Sequence, residues 1–175
     1  DKDKRYILIS GGSMGAGKLV LAIKLLYDRY KNDKKTELVV ICGSNKWLYK
    51  QLHGRYPGKI TAVRFTDKMA AYMRMADVFV TKPGGLSTTE GAVLGVPMVH
   101  IMSIPGCETR NMRFFAQYGM SVPVKRIGMG LPAAADRLLN RAEAEKVTEN
   151  QRKYINSAAA ADICRLAERL INNGL

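Results

Sequence analysis

A chain of 175 residues has room for one well-packed domain but not two, and its 47% apolar and 25% charged content is that of an ordinary globular protein. No apolar run reaches the roughly 18 residues of a membrane-spanning helix, and the opening Asp1-Lys2-Asp3-Lys4 carries no secretory-leader pattern. With 28 Lys and Arg against 15 Asp and Glu, the formal charge of +13 favours an anionic partner (nucleotide, nucleic acid or acidic membrane), and the lack of any recognition-helix, zinc-finger or aromatic RNA-binding signature argues against nucleic acid.

Strands and helices alternate from the start. Tyr6–Ile9 is an apolar, β-prone run that ends in Ser10-Gly11-Gly12-Ser13. Leu19, Ile23, Leu26 and Tyr30 then recur at helical spacing. Leu38–Cys42 predicts a second buried strand, ending at Gly43-Ser44-Asn45, and a short helix over Lys46–Leu52 follows. Ile60–Phe65 predicts the third strand, and Asp67 is the expected N-cap of a helix over Lys68–Met75. Asp77–Val80 is the fourth strand, leading through Pro83-Gly84-Gly85 into a helix that Gly95 and Pro97 close. Met98–Met102 is the fifth strand, with a helix near Glu108–Tyr118 after it. Val122-Pro123-Val124 reads as a short sixth strand, placed at a sheet edge by its proline. Two helices are expected to close the chain, the last with Ile155, Ala159, Ile163, Leu166 and Leu170 on one apolar face.

Continuous apolar strands alternating with helices predict an α/β fold. It is a Rossmann-like, doubly wound parallel sheet of about six strands with helices on both faces. In such sheets ligands bind at the carboxyl ends of the strands, where residues 10–17, 43–45, 83–87 and 105–111 are glycine-rich or small and polar.

The stretch from Thr81 to Glu90 is the most telling of these. A helix that starts just after Pro-Gly-Gly offers free amide groups and a partial positive charge to a phosphate. Glu90, one turn inside that helix, is placed to accept hydrogen bonds from neutral hydroxyls such as those of a ribose. A phosphate seat with a carboxylate one turn behind it describes a nucleotide site.

Gly12-Ser13-Met14-Gly15-Ala16-Gly17-Lys18 matches a P-loop up to its lysine, but Leu19 stands where a P-loop needs Ser or Thr to hold magnesium. The glycines also miss the spacing of the dinucleotide fingerprint. We read the stretch as a glycine-rich loop that approaches a diphosphate by its backbone, with Lys18 a solvated helix residue. Cys42, Cys107 and Cys164 are far apart and lack metal-ligand spacing, which suggests a reducing compartment. No metal site is expected. His53 and His100 are isolated, and Trp47 and Tyr72 are expected to serve packing.

Four motifs together resemble the donor half of two-Rossmann glycosyltransferases, the GT-B fold. They are Ile9–Gly15; Phe65-Thr66-Asp67-Lys68-Met69 with Ala76-Asp77-Val78; Lys82-Pro83-Gly84-Gly85 through Glu90 with Gly95-Val96-Pro97; and Pro105-Gly106-Cys107-Glu108-Thr109-Arg110-Asn111. The resemblance covers roughly residues 6–125 and is strongest to the monogalactosyldiacylglycerol synthases and processive diacylglycerol glucosyltransferases. The N-acetylglucosaminyltransferase that forms lipid II is a more distant relative.

The resemblance implies a UDP-sugar-binding domain of a hexosyltransferase that transfers glucose or galactose to a diacylglycerol-type lipid. Gly12, Ser13 and Gly15 would line the diphosphate, and Thr66 and Met69 would lie at the uracil. Gly85, Leu86 and Ser87 would hold phosphate, Glu90 the ribose, and Glu108 and Asn111 the hexose. Cys107 departs from the Gln usual at that position, so the sugar's identity is open. No residue stands out as catalytic, and the general base is expected from an N-terminal acceptor domain. Residues 1–175 would then be a single donor-binding domain cut from a longer protein. It would work without a cofactor other than its UDP-sugar, at the cytoplasmic face of a membrane. The readings kept beside this one are a non-catalytic donor-binding subunit, a sugar-nucleotide epimerase or hydrolase of the same fold, and a P-loop phosphotransferase.

Overall fold

In the computed structural model, residues 3–11, 18–101 and 104–172 are described. Six strands form one all-parallel sheet: β1 (Arg5–Ser10), β2 (Thr36–Ile41), β3 (Ile60–Val63), β4 (Val78–Thr81), β5 (Met98–Ile101) and β6 (Val122–Val124). Their order is β3-β2-β1-β4-β5-β6. That is the doubly wound arrangement the alternating pattern predicts. β6 lies at the edge, where Pro123 removes no ladder donor that an inner strand would need.

Among the described residues, eight helices connect and follow the strands: α1 (Lys18–Tyr30), α2 (Lys46–Leu52), α3 (Met69–Met75), α4 (Gly85–Val93), α5 (Cys107–Gln117), α6 (Ile127–Leu139), α7 (Arg141–Tyr154) and α8 (Ala159–Asn172). Alternate strand residues point to opposite faces, and two cores result. Ile7, Ile9, Val40 and Val80 pack with Leu19, Leu26, Leu48 and Leu131, so α1, α2 and α6 cover one face. Leu8, Val39 and Phe79 pack with Met73, Ala92 and Phe115, so α3, α4 and α5 cover the other. α7 closes the amino edge. Its fully buried Gln151 donates through Nε2 to the carbonyls of Val96 (2.9 Å) and Met120 (3.0 Å), just ahead of β5 and β6.

The structure differs from the sequence reading at several points. Three helices, not two, follow β6. α6 contains Gly128, Gly130 and Pro132, which read as breakers, but its burial of Ile127, Leu131, Ala135 and Leu138 outweighs their weak propensity. Asp67 does not cap α3. The helix starts one residue later, at N-cap Lys68, and the Thr66 hydroxyl accepts from the Lys68 amide at 3.0 Å. Ile155 belongs to the C-cap of α7, and the Ile163–Leu166–Leu170 face of α8 is exposed rather than packed. Trp47 is 60% exposed on α2, so it packs little.

Candidate functional site

The strand order reverses between β1 and β4, whose last residues, Ser10 and Thr81, are paired across the sheet. A crevice at the carboxyl ends of the strands is the expected consequence of that reversal. A cavity of about 460 Å³ opens there, lined by Ser10, Ile41, Gly43, Ser44, Phe65, Thr66, Met69 and Ser87. Three strand ends and the starts of two helices therefore meet at one place. Of the residues singled out from sequence, Thr66, Met69 and Ser87 are brought together on its wall.

Phe65 is a wall residue to which the sequence reading gives no site role. It was assigned to the third strand, but β3 ends at Val63 and Phe65 is 80% exposed. The available signal was Arg64, a charge that interrupts the apolar run one residue earlier. An exposed aromatic ring beside Met69 gives the cavity an apolar surface on which a planar base can lie.

α4 enters this crevice with its amino end. Gly84 is the N-cap, in extended backbone, and no side chain caps the helix. The first intrahelical bond runs from the Thr88 amide to the Gly84 carbonyl at 3.1 Å. The amides of Gly85, Leu86 and Ser87 therefore have no partner within the helix, and no acid sits in the first turn. Their dipoles add to the helix dipole, so this end of α4 is electrostatically suited to an anion. Glu90 follows three residues after Ser87, on the same side of the helix. Its carboxylate is exposed and has no hydrogen bond or ion pair among the described residues, and it lies outside the wall of the 460 Å³ cavity.

α4 is held in place by unusually close packing. A Cβ on Gly91 would stand 2.9 Å from Met98 Sδ and 3.5 Å from Phe79 Cδ1, so a side chain here would force the buried Met98 to shift or the helix to move away from β4 and β5. Behind the helix, His100 is fully buried. Its Nδ1 is 2.9 Å from Ser121 Oγ, and Nε2 is 3.5 Å from Thr88 Oγ1, in the second turn of α4. Desolvation pushes the His100 pKa down to about 4, so the ring is neutral at physiological pH. Buried and not part of the cavity wall, it supports the helix.

The residues expected to face a hexose are tied to the turn before α4. Lys82 Nζ is 2.8 Å from Glu108 Oε1, the Ile104 amide donates to Glu108 Oε2 at 2.9 Å, and Asn111 Nδ2 donates to the Pro83 carbonyl at 3.0 Å. Partial desolvation would raise the Glu108 carboxyl, but the bonds from Lys82 and the Ile104 amide outweigh it and hold the group below the ordinary carboxylate range. Lys82 is thus an ion-pair partner, neither free for phosphate nor simply solvated. Gly106 adopts φ 101°, a conformation suited to glycine, and it turns the chain into α5 so that Glu108 and Asn111 point at residues 82–83.

Gly12, Ser13 and Gly15 lie outside the described residues. Leu19, at the position where a P-loop carries its magnesium ligand, is fully buried in the first core and cannot reach a metal. Among the described residues no group of three or more His, Cys, Asp or Glu side chains could hold a metal ion.

The profile of the glycosyltransferase family 28 C-terminal domain matches residues 6–161. A processive diacylglycerol beta-glucosyltransferase of Bacillus pumilus strain SAFR-032 is 28% identical over 178 aligned positions, covering 98% of this chain and 46% of that protein. The chain thus spans about half the length of that relative. Among solved structures, Acinetobacter baumannii MurG matches with a TM-score of 0.77 at 23% identity, over 97% of this chain and 51% of that one. Staphylococcus aureus MnaA, solved with UDP, matches with a TM-score of 0.76 at 16% identity, over 98% of this chain and 47% of that one. These two likenesses concern the fold, and they bear out the parallel Rossmann-like architecture.

Proposed function

The chain belongs to the glycosyltransferase family 28 C-terminal domains, and on that premise we propose that it is the donor half of a hexosyltransferase moving glucose or galactose from a UDP-sugar to a diacylglycerol-type lipid. The observation that carries this reading is the amino end of α4, with three amides that have no partner within the helix, no acid in the first turn, and Ser87 shared with a cavity of nucleoside size. The diphosphate sits at Gly85–Ser87, the base enters the cavity between Phe65 and Met69, and Glu90 accepts from the ribose hydroxyls. The name of the Bacillus pumilus relative supports a diacylglycerol acceptor.

The chemistry follows from the electrostatics. Transfer breaks the bond between the anomeric carbon and a diphosphate oxygen, and negative charge grows on the leaving group. Amides preorganised at a helix end stabilise that charge as it forms. This role needs neither a metal nor a cofactor. The acceptor hydroxyl arrives on the opposite side of the sugar and gives its proton to a general base. We assign that base to a further domain, with residues 1–175 forming one donor-binding unit at the cytoplasmic face of a membrane.

Titration calorimetry of the chain with UDP, ADP and GDP, each with and without EDTA, tests the reading. UDP is expected to bind best and to be indifferent to EDTA. Preference for ADP, or loss of UDP binding in EDTA, would overturn it.

A further inference from the structure

We propose that the groove around Lys125, at the open edge of the sheet, docks this domain onto an anionic phospholipid bilayer. Three cavities meet at that residue. One of about 630 Å³ runs along α6, one of about 740 Å³ runs along α5, and one of about 250 Å³ reaches the start of α1. Their walls carry five cations, Lys18, Arg113, Lys125, Arg126 and Arg137, and no acid. Arg137 is paired with Glu143 at 2.8 Å, while the other four have no ion pair among the described residues. Elsewhere some cations are matched by an acid, as in Lys24–Asp28, Arg29–Asp136 and Arg141–Glu145, while others, such as Lys46, Lys50 and Lys68, have no ion pair among the described residues. All of the charge on the walls of this groove is therefore positive.

The same walls are apolar between the charges. Met129 is 80% exposed and Leu21 45% exposed, beside Pro123 and Ala133. Cations that flank exposed aliphatic side chains suit the boundary between phosphate headgroups and acyl chains. A single-stranded nucleic acid calls for aromatic stacking platforms, and no aromatic residue lines any of the three cavities. An added β-strand is disfavoured by the three-residue length of β6 and by Pro123. The unpartnered α8 is a poorer membrane face, because its polar side balances Asp162 and Glu168 against Arg165 and Arg169.

The placement gives the surface a purpose. Lys125–Gly128 follow the carboxyl end of β6, and Lys18 opens α1 beyond the carboxyl end of β1, so the groove borders the edge that carries the nucleotide crevice. A bilayer held there keeps a lipid acceptor within reach of the donor. The inference deepens the lipid-transferase reading and rests on it for its biological sense, though the binding itself is measured independently.

The test is vesicle flotation of the full chain at physiological salt. It compares phosphatidylcholine alone with phosphatidylcholine containing about one third phosphatidylglycerol. Lys125→Glu/Arg126→Glu is run beside Lys34→Glu/Lys35→Glu, which changes the net charge equally at the opposite, amino end of the sheet. The chain is expected to float with the anionic vesicles only. The groove variant should lose about tenfold or more in partitioning and the control less than about twofold. Equal loss in both variants, or equal binding to the two vesicle types, would overturn the proposal. So would a groove variant that loses binding to single-stranded RNA but keeps its vesicles. UDP titration of the same proteins separates the two readings. Vesicle binding lost while the UDP isotherm stays intact supports the groove as a distinct surface. A wild-type chain that floats but does not bind UDP supports the groove and removes the nucleotide assignment.

Discussion

Glu90 and His100 show how two residues ten apart serve one helix in different ways. If Glu90 accepts from both ribose hydroxyls, Glu90→Ala weakens UDP binding by roughly 2–3 kcal/mol, because hydrogen bonds to charged groups are among the strongest. The dideoxy form of UDP, lacking both hydroxyls, should bind weakly and be indifferent to the substitution. Calorimetry with both ligands checks this, and equal UDP affinity in the two proteins would reduce Glu90 to a solvated helix residue. His100 instead makes stability depend on pH. Its pKa falls from 6.5 in the unfolded chain to about 4 when buried, so the unfolded state binds the extra proton in that window. The contribution is fully present above pH 6.5 and is lost as the pH falls towards 4. The shift corresponds to roughly 3 kcal/mol. Urea unfolding at a series of pH values should show that decline in the wild type. His100→Asn should flatten it, and an unchanged slope would mean that other groups set the acid sensitivity.

Among elements, α4 and α8 are opposite cases. α4 is only nine residues long and is poor in helix formers, so its position depends on packing. Gly91→Val would drive methyl groups into Met98 and Phe79, and overpacking of this kind costs about 1–3 kcal/mol. The variant is expected to melt earlier and also to bind UDP more weakly, because the amide-bearing end of the helix shifts with it. Melting that drops while UDP affinity holds would separate the helix from the site. α8 buries no residue. A chain ending at Asn156 should therefore match the full chain within about 0.5 kcal/mol in urea unfolding, and a larger loss would show that α8 packs in solution. Sequence alone located the buried strands because their apolar runs are continuous, and it placed β6 at an edge through Pro123. It could not count the closing helices, since the glycines and proline of α6 mislead until α1 is seen lying against it. Nor could it show that the apolar face of α8 has no partner, because amphipathic spacing looks the same whether or not a face is covered.

For the molecule as a whole, half of the site was legible and half was not. The Pro-Gly-Gly helix start and its carboxylate are local in sequence and could be read directly. The ties from Lys82 to Glu108 and from Asn111 to Pro83 span 26 and 28 residues and join loops of neighbouring strands, so they appear only once the strand order is known. Phe65 was hidden by a two-residue error in the end of β3. If the chain is a donor half whose general base lies in a further domain, it should form no glycolipid from UDP-glucose or UDP-galactose and diacylglycerol vesicles. Robust product would contradict that division of labour. The central claim, that UDP sits at the amino end of α4, is tested most directly by amide nuclear magnetic resonance of the labelled chain titrated with UDP. The largest shifts are expected at the amides of Gly85, Leu86 and Ser87, with smaller ones at Phe65 and Thr66. Shifts that spare these amides while others move, or a spectrum unchanged by UDP, would contradict the account.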